Sequence, residues 1–184
     1  TLASSSAASD VYKRQMLNEL AHLGLTVALV IALLGTVIPL VAARLNYLYW
    51  MRLAPVLTVL QFFLVAFAFI TLTLAFVKSD FSLSVVLFNS HTLKPTIYKI
   101  AGVWGNHEGS LLLWVLILTL FAACVAWFAK NLPPSLLARV LGVQSAISAT
   151  FLSFLLFTSN PFSRVDFPPF NGQGLNPLLQ DPGL

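Results

Sequence analysis

Four long stretches without aspartate, glutamate, lysine or arginine constrain this chain more than any other feature. Each holds 21 to 25 residues, and they cover 20–43, 53–77, 109–129 and 140–163. A helix rises about 1.5 Å per residue, so each stretch can cross about 30 Å of hydrocarbon. The sequence therefore predicts an all-α integral membrane protein whose four transmembrane helices lie at 20–43, 53–77, 110–129 and 136–158.

The composition excludes most other classes of protein. Only 9% of the residues are charged and 58% are apolar, with a mean hydropathy of +0.88, whereas a soluble domain has about 25% charged residues. A soluble enzyme and a disordered chain are both excluded, because too few charged side chains are available to form a polar surface. The single cysteine, Cys124, excludes an intramolecular disulfide and a Cys-x-x-Cys site within this sequence. The net charge of +4 indicates membrane orientation rather than nucleic-acid binding, so we expect no nucleic-acid partner.

The segments outside these stretches differ in kind. Residues 1–15 are polar, show no helical pattern and precede Met16, so we interpret them as a non-native extension of adapter or cloning origin, outside the fold. Residues 16–158 then form the transmembrane region. The apolar run 81–93 is too short to span a membrane and favours the interface. Residues 159–184 contain five prolines and three glycines, which predicts an extended loop that we expect to be truncated.

The charges of the loops predict the orientation of the bundle. Two short loops, 44–52 and 130–139, carry four basic residues and no acid: Arg44, Arg52, Lys130 and Arg139. Cytoplasmic loops are enriched in lysine and arginine, so these two loops are predicted to be cytoplasmic. The two longer polar segments, 78–109 and 159–184, then face outward.

The first outward loop ends in a polar motif directly before the third span. Its candidate functional residues are Trp104, Gly105, Asn106, His107, Glu108, Gly109 and Ser110. Ser110 is predicted to cap the helix, and the helix dipole favours an anion at Glu108. His107 beside Glu108 could act as a metal ligand or a proton donor, although we assign no metal site. A capped turn whose polar groups only satisfy one another is the alternative, and the residues alone leave both interpretations open.

Two further histidines were considered as ligands. His22 lies about one turn into the first span, where it could contact a haem propionate. The favoured interpretation is a side chain that snorkels to the membrane surface or forms an interhelical hydrogen bond. His91 lies in the polar loop without a partner motif, and we expect it to be solvated.

Three motifs, in order, resemble the CcmF/NrfE family of haem lyase subunits. They are WGNHEGSLLLWVLIL (104–118), FTSNPFSR (157–164) and LNPLLQDPGL (175–184), and they follow a family-like NEL-x-H opening at 18–22. The resemblance covers Met16 to Leu184, with Ala21 standing where the family usually has glycine. It implies that the chain is the N-terminal fragment of a larger polytopic bundle.

The resemblance also implies a function in cytochrome c maturation. Family members are multi-pass proteins of the bacterial inner membrane, with the motif loops in the periplasm. They receive haem from the haem chaperone CcmE and, with CcmH-type thiol-redox partners, promote its attachment to apocytochrome c. The family's tryptophan-rich WWD segment and its haem-ligating histidines lie beyond the position of Leu184, so no haem ligand is assigned within this chain, which is not expected to be active alone. The alternatives are a non-catalytic scaffold and a haem or quinone transporter, and the choice between general and nitrite-reductase cytochromes stays open.

Overall fold

The fold consists of helices joined by turns. The computed structural model describes residues 2–129, 131–165, 167, 169 and 171–174. Within these residues the helices are α1 (Leu2–Leu45), α2 (Leu48–Met51), α3 (Leu53–Val77), α4 (Ser84–Asn89), α5 (Thr96–Gly102), α6 (His107–Phe128) and α7 (Pro134–Phe157). Lys130 and residues 175–184, which include the LNPLLQDPGL motif, lie outside the described residues.

Four of these helices confirm the prediction of an all-α membrane bundle. The segments Gln15–Leu45, Leu48–Val77, His107–Phe128 and Pro134–Phe157 are each long and apolar enough to cross a membrane. Two boundaries differ from the predicted ones by more than two residues. The backbone of 2–15, predicted to lie outside the fold, continues α1 as helix, and α6 begins three residues before its predicted start. The interpretation of 1–15 as a non-native extension stays a prediction.

The long helices form a closed ring in the order α1, α3, α6 and α7. The most extensive packing joins α1 to α7 and to α3. The buried faces of α1 and α7 are rich in small residues, among them Ala21, Ala28, Ala32, Ser145 and Ala149. Small side chains allow two helix backbones to approach closely where lipid provides no hydrophobic force between them.

The two ends of the bundle are unequal. We call the end that carries residues 78–106 and 158–174 the loop end, and the other the short-connection end. At the loop end α4 buries Val85, Val86 and Leu87 against the bundle core. The apolar run 81–93 is therefore partly core, because the tail after α7 crosses it: Ser84 N–H donates to the Ser163 carbonyl at 3.0 Å.

Candidate functional site

The polar motif of residues 104–110 forms the turn between α5 and α6 and the first turn of α6. Six of its seven residues, with Asn89 from α4, line one open depression of about 530 Å³ at the loop end; they are Trp104, Gly105, Asn106, His107, Glu108 and Ser110. Gly109 lies buried directly behind it. The structure thus brings together the residues that the sequence grouped as a candidate site.

Asn106 holds this turn in place. Its Oδ1 accepts the Gly109 N–H at 2.7 Å, which makes Asn106 the N-cap of α6. Its Nδ2 donates to the carbonyls of Gly102 at 2.8 Å and Val103 at 3.1 Å, at the end of α5. One amide side chain therefore joins the last turn of α5 to the first turn of α6.

The prediction that Ser110 caps α6 is wrong. The helix already begins at His107, and the Ser110 hydroxyl donates to the His107 carbonyl at 3.0 Å inside the first turn. The error arises because the apolar run begins after Ser110, whereas the first turn of α6 is polar. Asparagine is among the best N-cap residues, so Asn106 was the signal that could have located the true cap.

Gly109 allows the turn to pack tightly against the end of α5. A Cβ atom added at Gly109 would lie 1.7 Å from the Val103 carbonyl oxygen, whereas one added at Gly105 would meet no atom closer than 3.5 Å. Neither glycine has a positive φ. Close approach of two backbone segments, rather than a left-handed conformation, is therefore why position 109 requires glycine.

His107 and Glu108 present the reactive groups of the depression. The exposed His107 ring lies edge-on to Phe154 of α7, with ring centroids 6.2 Å apart. Glu108 is half-buried in the first helical turn, where the helix dipole favours its charge. Together with the half-exposed Trp104 indole, this arrangement can donate and accept hydrogen bonds, carry a proton and stack on a planar group.

The other two histidines are each paired with an asparagine of the tail. His22 Nε2 lies 3.1 Å from Asn160 Nδ2, so its partner belongs to the tail after α7 rather than to another helix. His91 is partly exposed to solvent, as expected, but it also has partners that the sequence did not indicate: its Nε2 lies 2.9 Å from Asn171 Nδ2 and its Nδ1 accepts the Leu93 N–H at 3.2 Å. Neither histidine lines the depression.

The tail after α7 is fastened to the loop end by its backbone as well. Asn171 Oδ1 accepts from the backbone and hydroxyl of Thr92, and the N–H groups of Gln173 and Gly174 donate to the Leu87 and Ser90 carbonyls. A Cβ at Gly172 would lie 2.1 Å from the Ser90 carbonyl oxygen. The extended segment that was predicted from proline and glycine is thus hydrogen-bonded to residues 87–92 of the outer loop.

A polar cluster that sequence reasoning missed links α1 to the same loop. Buried Asn18 donates from Nδ2 to Asp80 Oδ2 at 2.9 Å, while the Ser82 hydroxyl donates to the other carboxylate oxygen at 2.6 Å. Arg164 of the tail pairs with Glu19 at 3.1 Å. The Asn18–Asp80 and Glu19–Arg164 contacts join residues that are 62 and 145 positions apart, so no local sequence pattern indicates them.

Beside the depression, burial lowers the pKa of Lys94, whose ammonium donates to the Asn89 carbonyl at 2.9 Å.

Among the residues that the structure describes, no three histidine, cysteine, aspartate or glutamate side chains come together as a metal site.

Comparison with known proteins places these features in context. A family model described as Cytochrome C assembly protein matches residues 104–184, from the start of the polar motif onward. The cytochrome c-type biogenesis protein ccl1 of Rhodobacter capsulatus is 57% identical over 169 residues, which cover 92% of this chain and 26% of the relative. CcmF of Escherichia coli is 46% identical over 171 residues, again with 92% and 26% coverage. The chain thus spans about a quarter of the length of the curated relatives it matches.

A solved structure has the same fold. The structure named Cytochrome c Heme Lyase CcmF aligns with a TM-score of 0.73 and 30% identity, over 80% of this chain and 25% of that one. The probable cytochrome c-type biogenesis protein NrfE of Escherichia coli is also similar, at 43% identity over 141 residues that cover 77% of this chain.

Proposed function

The chain is part of a CcmF-type, multi-pass membrane protein of cytochrome c biogenesis, and from this premise we propose that it helps to form the haem-receiving face of a haem lyase. The observation that carries the proposal is the depression at the loop end, where Asn106 and Gly109 hold His107 and Glu108 in one arrangement. A preorganised site of this kind can position a large ligand without first ordering its own loops.

The reaction of the whole complex would be the addition of two apocytochrome cysteine thiols across the vinyl groups of haem. Each addition forms a carbon–sulfur bond, moves the thiol proton to the neighbouring vinyl carbon and needs no net electron transfer. Haem supplies the reactive alkenes as a substrate, and the protein supplies position and electrostatics. In this chain, Trp104 offers a stacking surface and His107 a hydrogen-bonding or proton-carrying group beside it.

The partners follow from the same proposal. The depression would meet haem or a haem-loaded chaperone of the CcmE type, while CcmH-type proteins would deliver the reduced apocytochrome. We place the axial ligands of haem outside this chain, because the resemblance puts the family's haem-ligating histidines beyond the position of Leu184, and we assign His107 a hydrogen-bonding or proton-carrying role.

The proposal requires the loop end to face the bacterial periplasm, with the whole protein in the inner membrane. Tyr49 is 76% exposed at the short-connection end and Ser163 is exposed on the tail at the loop end, so single cysteines there should fold and react. In the complete protein, with Cys124 replaced by serine, an impermeant thiol reagent should label Ser163→Cys in intact cells and Tyr49→Cys only after lysis. The reverse pattern would invert the orientation and remove the proposed role.

His107→Ala tests the site itself in the complete protein. Its ring edge contacts Phe154, and the described structure gives it no buried hydrogen bond to lose, so we expect an unchanged protein level. Cytochrome c yield should fall severalfold, and haem-loaded chaperone should accumulate. The matched control is His91→Ala, which changes a histidine outside the depression and should preserve the yield.

Two results would contradict this proposal. Unchanged cytochrome yield in His107→Ala would show that the depression does not handle the substrate or its carrier. A parallel fall of protein level and yield would show that His107 only stabilises the turn.

A further inference from the structure

The short helix α5 packs only loosely on the bundle and has no fully buried residue. None of its residues, Thr96 to Gly102, is buried by the described chain. Its apolar side chains point outward instead, with Ile97 71% exposed and Tyr98 63% exposed. A seven-residue helix is marginal in water, so a helix of this composition needs a surface that covers it.

The exposed apolar residues lie on one face of α5 and just beyond its two ends. Ile97 and Ile100 are three residues apart on one face of α5, and Trp104 follows four residues later in the turn after the helix. Leu93 lies before Pro95, just outside the start of the helix. We call these four residues the apolar stripe. All four are exposed. The polar contact of the helix lies elsewhere: Lys99 donates its ammonium to Ser79 Oγ at 2.7 Å.

The packing of α5 fixes its depth relative to the membrane. A Cβ at Gly102 would lie 3.4 Å from the ring of Phe76, which belongs to the last turn of the span α3. Lys99 contacts Ser79, two residues after α3 ends, and α6 begins five residues after α5 ends. Helix α5 therefore lies level with the ends of two membrane spans, not above them in the aqueous loop.

We propose that α5, with Leu93 and Trp104 on either side, is an interfacial anchor that rests in the headgroup layer of the bilayer at the loop end. Lipid is the occupant of its apolar stripe, apart from the side of Trp104 that lines the depression. Two observations favour lipid over protein. The stripe lies at the level where the spans end, and it includes Trp104 with the exposed Tyr98 beside it on α5, two residue types enriched at that level.

The anchor has a consequence for the candidate site. Asn106 is bonded to the Gly102 and Val103 carbonyls at the end of α5, and Gly109 packs on Val103. Because these contacts are short and rigid, the depth of α5 sets the depth of the depression. The depression then binds its ligands at the boundary between water and lipid. The anchor does not depend on the proposed function, since it would hold for any ligand.

Site-directed spin labelling of the complete protein in nanodiscs of phosphatidylethanolamine and phosphatidylglycerol tests this placement. Oxygen partitions into lipid and a nickel chelate into water, so their collision rates with a label distinguish lipid, water and protein surroundings. The labelled variant is Ile97→Cys. Matched controls are Phe63→Cys, on the exposed face of α3, and Ser163→Cys, on the exposed tail.

We expect the label at position 97 to have an oxygen-to-nickel collision ratio severalfold above that at Ser163 and below that at Phe63. A ratio equal to that at Ser163 would place α5 in water and overturn the proposal. Low collision rates with both reagents would also overturn it, because protein would then cover the stripe. Loss of cytochrome yield in His107→Ala would not move any of these readings, so the two proposals can fail separately.

Discussion

Helices α1 and α3 end with the same backbone motif at opposite ends of the bundle. After α1, Asn46 has φ 58° and the Tyr47 N–H donates to the Ala42 carbonyl; after α3, Ser79 has φ 52° and the Asp80 N–H donates to the Ala75 carbonyl. Both are left-handed helix C-caps with a six-to-one hydrogen bond. At the short-connection end the exposed Asn46 only reverses the chain, whereas at the loop end Ser79 accepts from Lys99 and leads into the Asp80 cluster.

The two ends therefore differ in how many tertiary contacts hold the chain after its left-handed cap. A short connection needs one allowed turn and can accept many side chains. The loop end is held by side chains that bond to backbone groups and by glycines that leave no room for a methyl group. We therefore expect equal chemical changes to have unequal effects at the two ends, and within the loop end we expect the effect to follow the contact distances.

The largest effect is expected for Gly109→Ala in the complete protein. The added methyl would overlap the Val103 carbonyl oxygen, so α5 and α6 must separate, at a cost of about 3 kcal/mol or more in the free energy of unfolding. Gly105→Ala adds the same methyl four residues away where there is room. Thermal unfolding in detergent should show a clear fall in Tm for the first variant only. Equal Tm values for the two variants would mean that the turn is not tightly packed.

A smaller effect is expected for Gly172→Ala, which should detach the tail from α4. Its methyl group would meet the Ser90 carbonyl oxygen and the Phe81 ring, at a cost of about 2 kcal/mol. That cost corresponds to roughly thirtyfold faster hydrogen exchange of the Gln173 and Gly174 amides, measured by mass spectrometry. Hydrogen exchange in α1 should stay unchanged in Gly172→Ala. In the control variant Gly105→Ala, hydrogen exchange should stay unchanged in all helices. A global rise in exchange would show that the tail is part of the bundle's cooperative unit.

The sequence predicted the helices of this fold far better than the details of its site. Charge-free stretches specify spans because burying a charge in lipid is costly at any position along a helix. The N-cap was predicted at Ser110 instead of Asn106 because a cap is expected directly before the apolar run of a helix. Helix α6 begins with a polar turn, so its cap lies four residues earlier. The partner of His91 was not predicted because Asn171 lies 80 residues away in the chain. Contacts of this range arise only when the tail folds back over the loop.

The corrected cap leads to a third prediction. Asn106→Ala removes the acceptor of the Gly109 N–H and the donor to two carbonyls, and should lower the free energy of unfolding by about 1–2 kcal/mol. Ser110→Ala removes only the hydroxyl bond to His107 and should cost less than about 0.5 kcal/mol. Denaturant or thermal unfolding of the two variants compares them directly. A larger loss for Ser110→Ala would restore the serine as the cap.

The smallest effect is expected when each left-handed cap residue, Asn46 or Ser79, is replaced by glycine. This pair of substitutions compares the two ends most directly. Glycine relieves the strain of a positive φ, worth about 1 kcal/mol, but raises the entropy of the unfolded chain by a similar amount. Asn46→Gly should therefore change the free energy of unfolding by less than about 0.5 kcal/mol and leave the loop end undisturbed. Ser79→Gly has the same backbone balance but also removes the acceptor of the Lys99 ammonium, so it should be less stable than Asn46→Gly by about 1 kcal/mol. Thermal unfolding measures both, and hydrogen exchange in α5 should rise in Ser79→Gly alone. Equal stability of the two variants, with no change in α5, would show that the Lys99 contact adds nothing and that the two ends differ less than their contacts indicate.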